Sequence, residues 1–347
     1  LFPVVAAAVP PQVEWTRSYG GQDNDHGYDA VASDDGGFLF AGKTASSGAG
    51  GDDVFLVAVD GAGRVLWEKT HGGAAHDVCQ AVIRTDDGGY ALAGYTGLPP
   101  NDYDVLLMKT DNQGNLQWQK SFGGSGEQKG QDLVQTSDGG FLICSERSFY
   151  MVRTYADGSL MWERTVGTVQ DVARSLNETP NGEILLAGYR GTSELVPELD
   201  ARVLKFGGSG SLILNLTFDT GYDDRADFAI EAENGDIVFC GTSGGLSSMW
   251  RTSSNGGQIW RRDFDGKWTS GLIEIGDGCF LFAGTTYASQ GGAYQVFLSK
   301  VEADGDLIYQ TVTGGPYYDW SWSFIRAQDG GYVVAGAVTE PDGYGYD

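Results

Sequence analysis

Basic residues are scarce in this chain: 22 Lys and Arg stand against 47 Asp and Glu, for a net charge of −25. A field of that sign repels phosphate backbones and anionic headgroups, which excludes nucleic acid and speaks against membrane insertion. No run approaches the ~20 apolar residues of a membrane-spanning helix. Histidine is scarcer still, at three, and no P-loop, G-x-S-x-G, HExxH or CxxC pattern occurs. His71, His76 and Asp77 lie close together. However, His71 holds a slot that other repeats give to Tyr19 and Phe122, and His76 matches Asn24, so packing is expected rather than metal ligation. Acidic pairs such as Asp52-Asp53 and Asp223-Asp224 are what so acidic a composition produces by chance, and nothing fixes the separation that glycoside chemistry needs.

Cysteine is also sparse. Cys144 and Cys240 match Ala41 of the first repeat, in mid-strand and in non-adjacent repeats. Cys79 takes a position given elsewhere to Gly27, Gly130, Ala173 and Ala226, and Cys279 replaces the second glycine of a turn. Thiols rather than disulfides are expected, and they do not report a redox compartment.

What the chain does have is glycine, 54 residues of it, and a repeat. Asp/Asn-Gly turns recur at Asp35-Gly36, Asp87-Gly88, Asp138-Gly139, Asn181-Gly182, Asn234-Gly235, Asp277-Gly278 and Asp329-Gly330, 43 to 53 residues apart. The first six are each followed by an anchor, Trp67, Trp118, Trp162, Leu214, Trp260 and Tyr309, and Trp15 stands ahead of the first turn. A period in this range marks a stacked or radial array. Within the first repeat, strands are expected at Tyr28–Ser33, Phe38–Thr44, Val54–Val59 and Val65–Thr70, joined by tight turns. Four short antiparallel strands, written seven times, predict an all-β, seven-bladed β-propeller, one domain over residues 1–347. A β-solenoid is the alternative, and the absence of a 3.6-residue period excludes helical repeats.

The last repeat stops after two strands. Placing Trp15 on Trp67 puts residues 2–7 on the third strand, so residues 1–21 are expected to complete the last blade. Phe2, Val4, Val5, Ala6 and Ala7 then form the closure strand, with Pro3 removing one ladder donor. The same segment given to a neighbouring subunit would build a file of propellers by strand addition. Closure within one chain is favoured on effective concentration. The start at Leu1 reads as processed, trimmed or a fragment.

Ten residues before each turn stands Asp25, Asp77, Gln128, Asp171, Asp224, Lys267 or Asp319. These are expected to accept backbone N–H groups at the opening of the innermost strand; an acidic, cation-binding ring is the functional alternative. Asp23, Asp25 and Asp29 resemble a calcium loop in composition but lack its spacing and terminal Glu, so no cofactor is expected beyond an allowance for calcium. Lys109, Arg153, Lys205, Arg251 and Lys300 share one position near a strand end, where they should reach the rim and pair with acids. Late in the chain one loop face gathers Trp268, Tyr287, Tyr294, Tyr317, Tyr318, Trp320 and Trp322. Trp268, Tyr317, Tyr318, Trp320 and Trp322 are the candidate binding residues, for a protein partner, a second copy or glycans. Sequons occur at Asn177 and Asn215; only Asn215, on an outermost strand, is expected to be reachable by a glycan.

The segments Ala58-Val59-Asp60-Gly61-Ala62-Gly63-Arg64-Val65-Leu66-Trp67 and Thr110-Asp111-Asn112-Gln113-Gly114-Asn115-Leu116-Gln117-Trp118 resemble the Trp-docking motif of quinoprotein (PQQ) propellers, one residue short. Over the whole chain the repeat is similar to PQQ-like repeats of bacterial and archaeal surface proteins. The resemblance implies a non-catalytic, extracellular or cell-surface role in structure or adhesion. Quinoprotein dehydrogenases use adjacent cysteines that this chain lacks. The expectation is a structural or interaction subunit, filamentous assembly included. Carbohydrate binding or polysaccharide processing is the alternative, and quinone-dependent oxidation the third.

Overall fold

The computed structural model describes residues 10–98, 102–191, 198–287, 293–315 and 318–338. It is an all-β propeller with four antiparallel strands per blade. Blade 1 comprises Asp25–Ala32, Phe38–Thr44, Asp53–Val59 and Val65–His71, paired in chain order. Blades 2 to 6 repeat that meander over residues 76–122, 130–165, 171–218, 224–264 and 268–313. The expected count of seven blades is corrected to six. After the sixth, Asp319–Arg326 and Tyr332–Val338 pair, among the described residues, as a two-stranded sheet. Residues 2–7, expected as its third strand, lie outside the described residues, and residues 10–21 carry no strand. The innermost strands still pack in a closed circle, because Asp319–Arg326 touches the first strands of both blade 6 and blade 1.

Two glycine positions explain the regularity of the blades. Between first and second strands, Gly36 N–H bonds to Ser33 C=O and Ser33 N–H to Gly37 C=O. This is a three-residue loop whose last residue, Gly36, needs φ of +82°, a left-handed value that a side chain resists. In the hairpin joining third and fourth strands, Gly63 (φ +73°) serves as a plate: a Cβ there would lie 3.0 Å from the Trp15 ring. Trp67 lies against Gly114 and Trp118 against Gly158 in the same way, at 2.5 Å. Each outer-strand tryptophan thus docks on the next blade's hairpin, in keeping with the motif seen in the sequence. Blade 4 departs from the pattern. Leu214 was the expected anchor, but Leu216, two residues along the same face, meets the plate at Gly256.

The core lies between blades, not within them. Leu39, Val54 and Leu56 of blade 1 pack with Val82, Leu92 and Met108 of blade 2, and equivalent clusters join blades 2 to 6. Cys79, Cys144 and Cys240 are buried thiols in these seams; burial pushes all three up from their ordinary pKa. At the last seam Phe38, Val57 and Val59 meet Val333 and Ala327, with Trp15 and Tyr19 packed alongside.

Candidate functional site

The repeated acids are consumed by the scaffold. Asp25 accepts from Gly21 N–H (2.6 Å) and Ser46 Oγ–H (2.8 Å). Asp77 accepts from Gly73 N–H (2.9 Å), Asp224 from Thr220 N–H (2.7 Å) and Asp319 from Gly315 N–H (2.7 Å). Burial acts to raise the pKa of Asp25, but hydrogen bonds from Thr44, Gly21 and Ser46 hold it below the usual carboxylate value. The three residues considered for calcium do not converge. Asp23 is exposed and its N–H bonds to Ser46 Oγ. Asp29 sits deeper in the strand, accepting from Val82 N–H of blade 2 (2.8 Å) and from Ser323 Oγ–H (2.6 Å). Among the described residues no group of three or more His, Cys, Asp or Glu could hold a metal. Asp52 pairs with Lys43 at 3.0 Å and His76 at 3.3 Å, while His71 Nε2 bonds to Gly114 C=O at 2.8 Å.

Four of the five basic residues expected to pair near the end of strand three do so, Lys300 not being among them. Lys109 meets Asp87 at 2.9 Å, Arg251 meets Asp236 at 2.8 Å, and Arg153 meets Asp138. Lys205 lies between Glu183 (2.5 Å) and Glu231 (2.6 Å). Two carboxylates hold unusual values. Burial pushes Asp29 up to about 6 and Asp132 up to about 7, the Asp29 charge adding to the latter. Both act as latches between blades: Asp132 accepts from Leu176 N–H of blade 4 at 2.7 Å.

The aromatic residues are the polar-rimmed surface that is not so consumed. Trp268, Tyr287, Tyr294, Tyr318 and Trp320 form one cluster across blade 6 and the two-stranded sheet. Tyr294 is its hub, with ring centroids 4.4 Å from Trp320, 4.9 Å from Tyr287 and 5.2 Å from both Trp268 and Tyr318. Tyr287 and Tyr318 are 49% and 45% exposed, so rings on this rim meet solvent. Lys267 Nζ lies 5.3 Å from the Tyr287 centroid. The Tyr287 hydroxyl and burial push Tyr294 up to about 12.

Trp322 is not part of that cluster. It joins His26 (5.5 Å) and Tyr28 (5.1 Å) of blade 1. The strand alternation would place it beside Trp320, but the ladder slips between Ser321 and Ser323. That bulge leaves Trp322 unpaired and turns it. The same slip occurs in blade 1 at Tyr28 and in blade 4 at Arg174. Tyr317 lies outside the described residues. Asn215 is exposed on the outer strand Leu212–Phe218, its side-chain carbonyl accepting from Arg202. The bulged residues were missed by the sequence reading. Their signal was a recurring small-Gly pair, Ala41-Gly42, Ala93-Gly94, Cys240-Gly241 and Ala283-Gly284, which marks where the innermost strand's carbonyl presses on its neighbour.

No family model matches the chain, and no curated protein matches it. Solved structures do. It is similar to YCF48 in a structure bound to D1 peptide (TM-score 0.58, 12% identity, covering 94% of this chain and 96% of that one). It is similar to a catalytically inactive virginiamycin B lyase from Staphylococcus aureus with quinupristin (TM-score 0.53, 12% identity, 76% and 81% covered). A protein of unknown function from Dyadobacter fermentans also matches (TM-score 0.51, 12% identity, 92% and 96% covered). At such identities the likeness concerns fold alone.

Proposed function

We propose that this chain is a PQQ-like β-propeller of the cell surface or extracellular space, a non-catalytic structural or interaction subunit. The observation that carries the binding role is the cluster of Tyr287, Tyr294, Tyr318, Trp268 and Trp320. Packed rings with exposed members on a rigid rim are the usual anchor of a partner interface. The recurring acids and bases, which in an enzyme would be the chemical groups, are engaged with backbone amides and each other. The net charge of −25 and the exposed Asn215 sequon suit an exterior setting. The similar folds serve both modes: one is a lyase and one is held with a peptide. Here the aromatic rim favours the second.

The test compares the parent with a Tyr287→Ala, Tyr318→Ala variant, both changes being at exposed rings. Retention of a protein partner or of a second copy by the parent, lost in the variant, supports the proposal. Glycan-array binding lost in that variant would move the assignment to the carbohydrate reading, which the stacked rings also suit. Turnover of a bound ligand would overturn it.

A further inference from the structure

The seam between blades 2 and 3 repeats the geometry of the seam between blade 6 and the two-stranded sheet, with one exchange of residue. Tyr103 and Tyr294 hold the same place, two residues before the matching Val105 and Val296 of their third strands. Lys129 and Trp320 also match, each directly after the recurring residue at the opening of a first strand, Gln128 or Asp319. Lys129 Nζ lies over the Tyr103 ring at 4.6 Å and over Tyr95 at 5.1 Å. Arg225, at that same place in blade 5, lies over Tyr189 of blade 4 at 5.0 Å. Each of these pairs crosses a seam, and the following blade supplies the cation. Where Lys129 or Arg225 would stand, Trp320 instead meets Tyr294 at 4.4 Å. Among the described residues no cation lies over either of those two rings.

We infer that this seat is filled from outside: the rim takes the guanidinium of an arginine presented by a basic segment of a partner protein. Aromatic faces attract cations through their quadrupole, and guanidinium, planar and weakly hydrated, stacks on them better than ammonium does. The rings are available to it. Tyr287 and Tyr318 are 49% and 45% exposed. Trp320 and Tyr318 tilt against Tyr294 by 51° and 55°, so none of the three is covered flat by another. The net charge of −25 draws basic segments and repels a second copy of this chain. That decides between the two protein occupants the rim could have. Lys267 tunes the site from within. Its Nζ stands over Tyr287 at 5.3 Å and donates to Gly245 C=O at 2.8 Å, with no carboxylate partner among the described residues. It is therefore an internal competitor, holding one ring of the rim and setting how tightly an incoming cation is bound.

This partner class presupposes that the rim is a binding surface, as proposed above. The probe is a blocked Gly-Gly-Arg-Gly-Gly peptide, set against the same peptide with citrulline, which keeps the shape of arginine and loses its charge. Titrations of the full chain at constant ionic strength are read from the indole N–H resonances of Trp268 and Trp320. The arginine peptide is expected to shift both signals to saturation, and the citrulline peptide to leave them in place. A Tyr287→Leu, Tyr318→Leu variant keeps apolar side chains but loses two π faces, and should weaken the arginine peptide about fivefold or more. Lys267→Met should tighten it by about twofold or more, while the same loss of charge in Lys120→Met, at an exposed outer-strand site, should not. Equal shifts with citrulline, no saturable shift in the parent, undiminished binding in the leucine variant, or equal tightening at Lys267 and Lys120 would overturn the inference. Self-association of the parent through the rim would do the same. The two proposals fail separately: a partner lost from the alanine variant but kept by the leucine variant leaves the rim a binding surface and removes its cation.

Discussion

A single side chain too many would break a blade at the bulge. The carbonyl of Trp268 faces Gly284 so closely that a Cβ there would lie 1.9 Å from it; at Gly42 the His26 carbonyl would be 1.8 Å away. A backbone atom cannot swing aside as a side chain can, so Gly284→Ala is expected to destabilise by ~1–3 kcal/mol or more, the range of overpacked sites. Urea denaturation would measure it. A loss within ~0.5 kcal/mol, as at ordinary surface sites, would mean the contact relaxes freely. The buried latches make a second residue-level prediction. Asp132 has a pKa of about 7 in the folded protein against an ordinary 3.8, so the folded state holds the proton more tightly than the unfolded chain. Its ionisation therefore costs stability as pH rises from about 4 to about 7, and the penalty is absent below the unfolded value. Asp132→Asn keeps an acceptor for Leu176 N–H without the charge. Relative to the parent it should be progressively more stable from pH 4 to pH 8, read as a difference in melting temperature. A difference that does not change with pH would refute the raised value. Neither role was visible at the start: the acids at strand openings were counted, but Asp29 and Asp132 stand four residues further along the strand than Asp25 and Gln128, where each accepts an N–H from the next blade, a contact that spacing alone does not reveal.

Strands were far more legible than their special residues. Phe38–Thr44 was read with its observed bounds, and Val54–Val59 lies within one residue of the observed Asp53–Val59, because alternating apolar runs between Asp-Gly turns leave one reading. The docking tryptophans were also legible as wedges, while the choice between Leu214 and Leu216 was not. From the anchor position tryptophan reaches the next blade's glycine, whereas in blade 4 it is Leu216 and not Leu214 that lies nearest Gly256, so the contact moves to whichever residue the strand brings nearer. The energetic weight of docking can be tested on one strand type. Trp118 packs on Phe141 at 6.0 Å and on Gly158; Trp118→Ala should cost ~3 kcal/mol, the lower end for aromatic truncation. Val65 opens the same kind of outer strand but is exposed, and Val65→Ala should stay within ~0.5 kcal/mol. Equal losses in equilibrium unfolding would show that the outer strand is stabilised by its ladder and not by the wedge.

For the whole molecule, the repeat count was legible and the number of complete blades was not. Seven Asp/Asn-Gly turns are a local signal, but whether a two-stranded remainder becomes a blade depends on a segment remote in sequence. The seam between blade 1 and Asp319–Arg326 is consequently the place where the circle should open first. Among the described residues its own ladder has two strands where the others have four, and across it run Ser323 to Asp29, Gln328 to Ser33 C=O (2.8 Å) and the clasp of Trp15 and Tyr19 on the Gly61 and Gly63 carbonyls. Opening there exposes the apolar faces of Phe38, Val57 and Val333 without unpairing any complete blade. Self-repulsion from a net charge of −25 acts in the same direction and weakens with salt. Local openings of this kind set the exchange rates of the amides they release. A Trp15→Ala, Tyr19→Phe variant removes the clasp's two hydrogen bonds and most of its wedge. It should speed hydrogen exchange in Asp319–Arg326, Tyr332–Val338 and Asp25–Ala32, while the amides of blades 3 to 5, on the far side, keep parental rates. Added salt should slow exchange at the seam more than elsewhere. Acceleration spread evenly over all blades would mean that the circle opens as one cooperative unit and that the seam is no weaker than its neighbours.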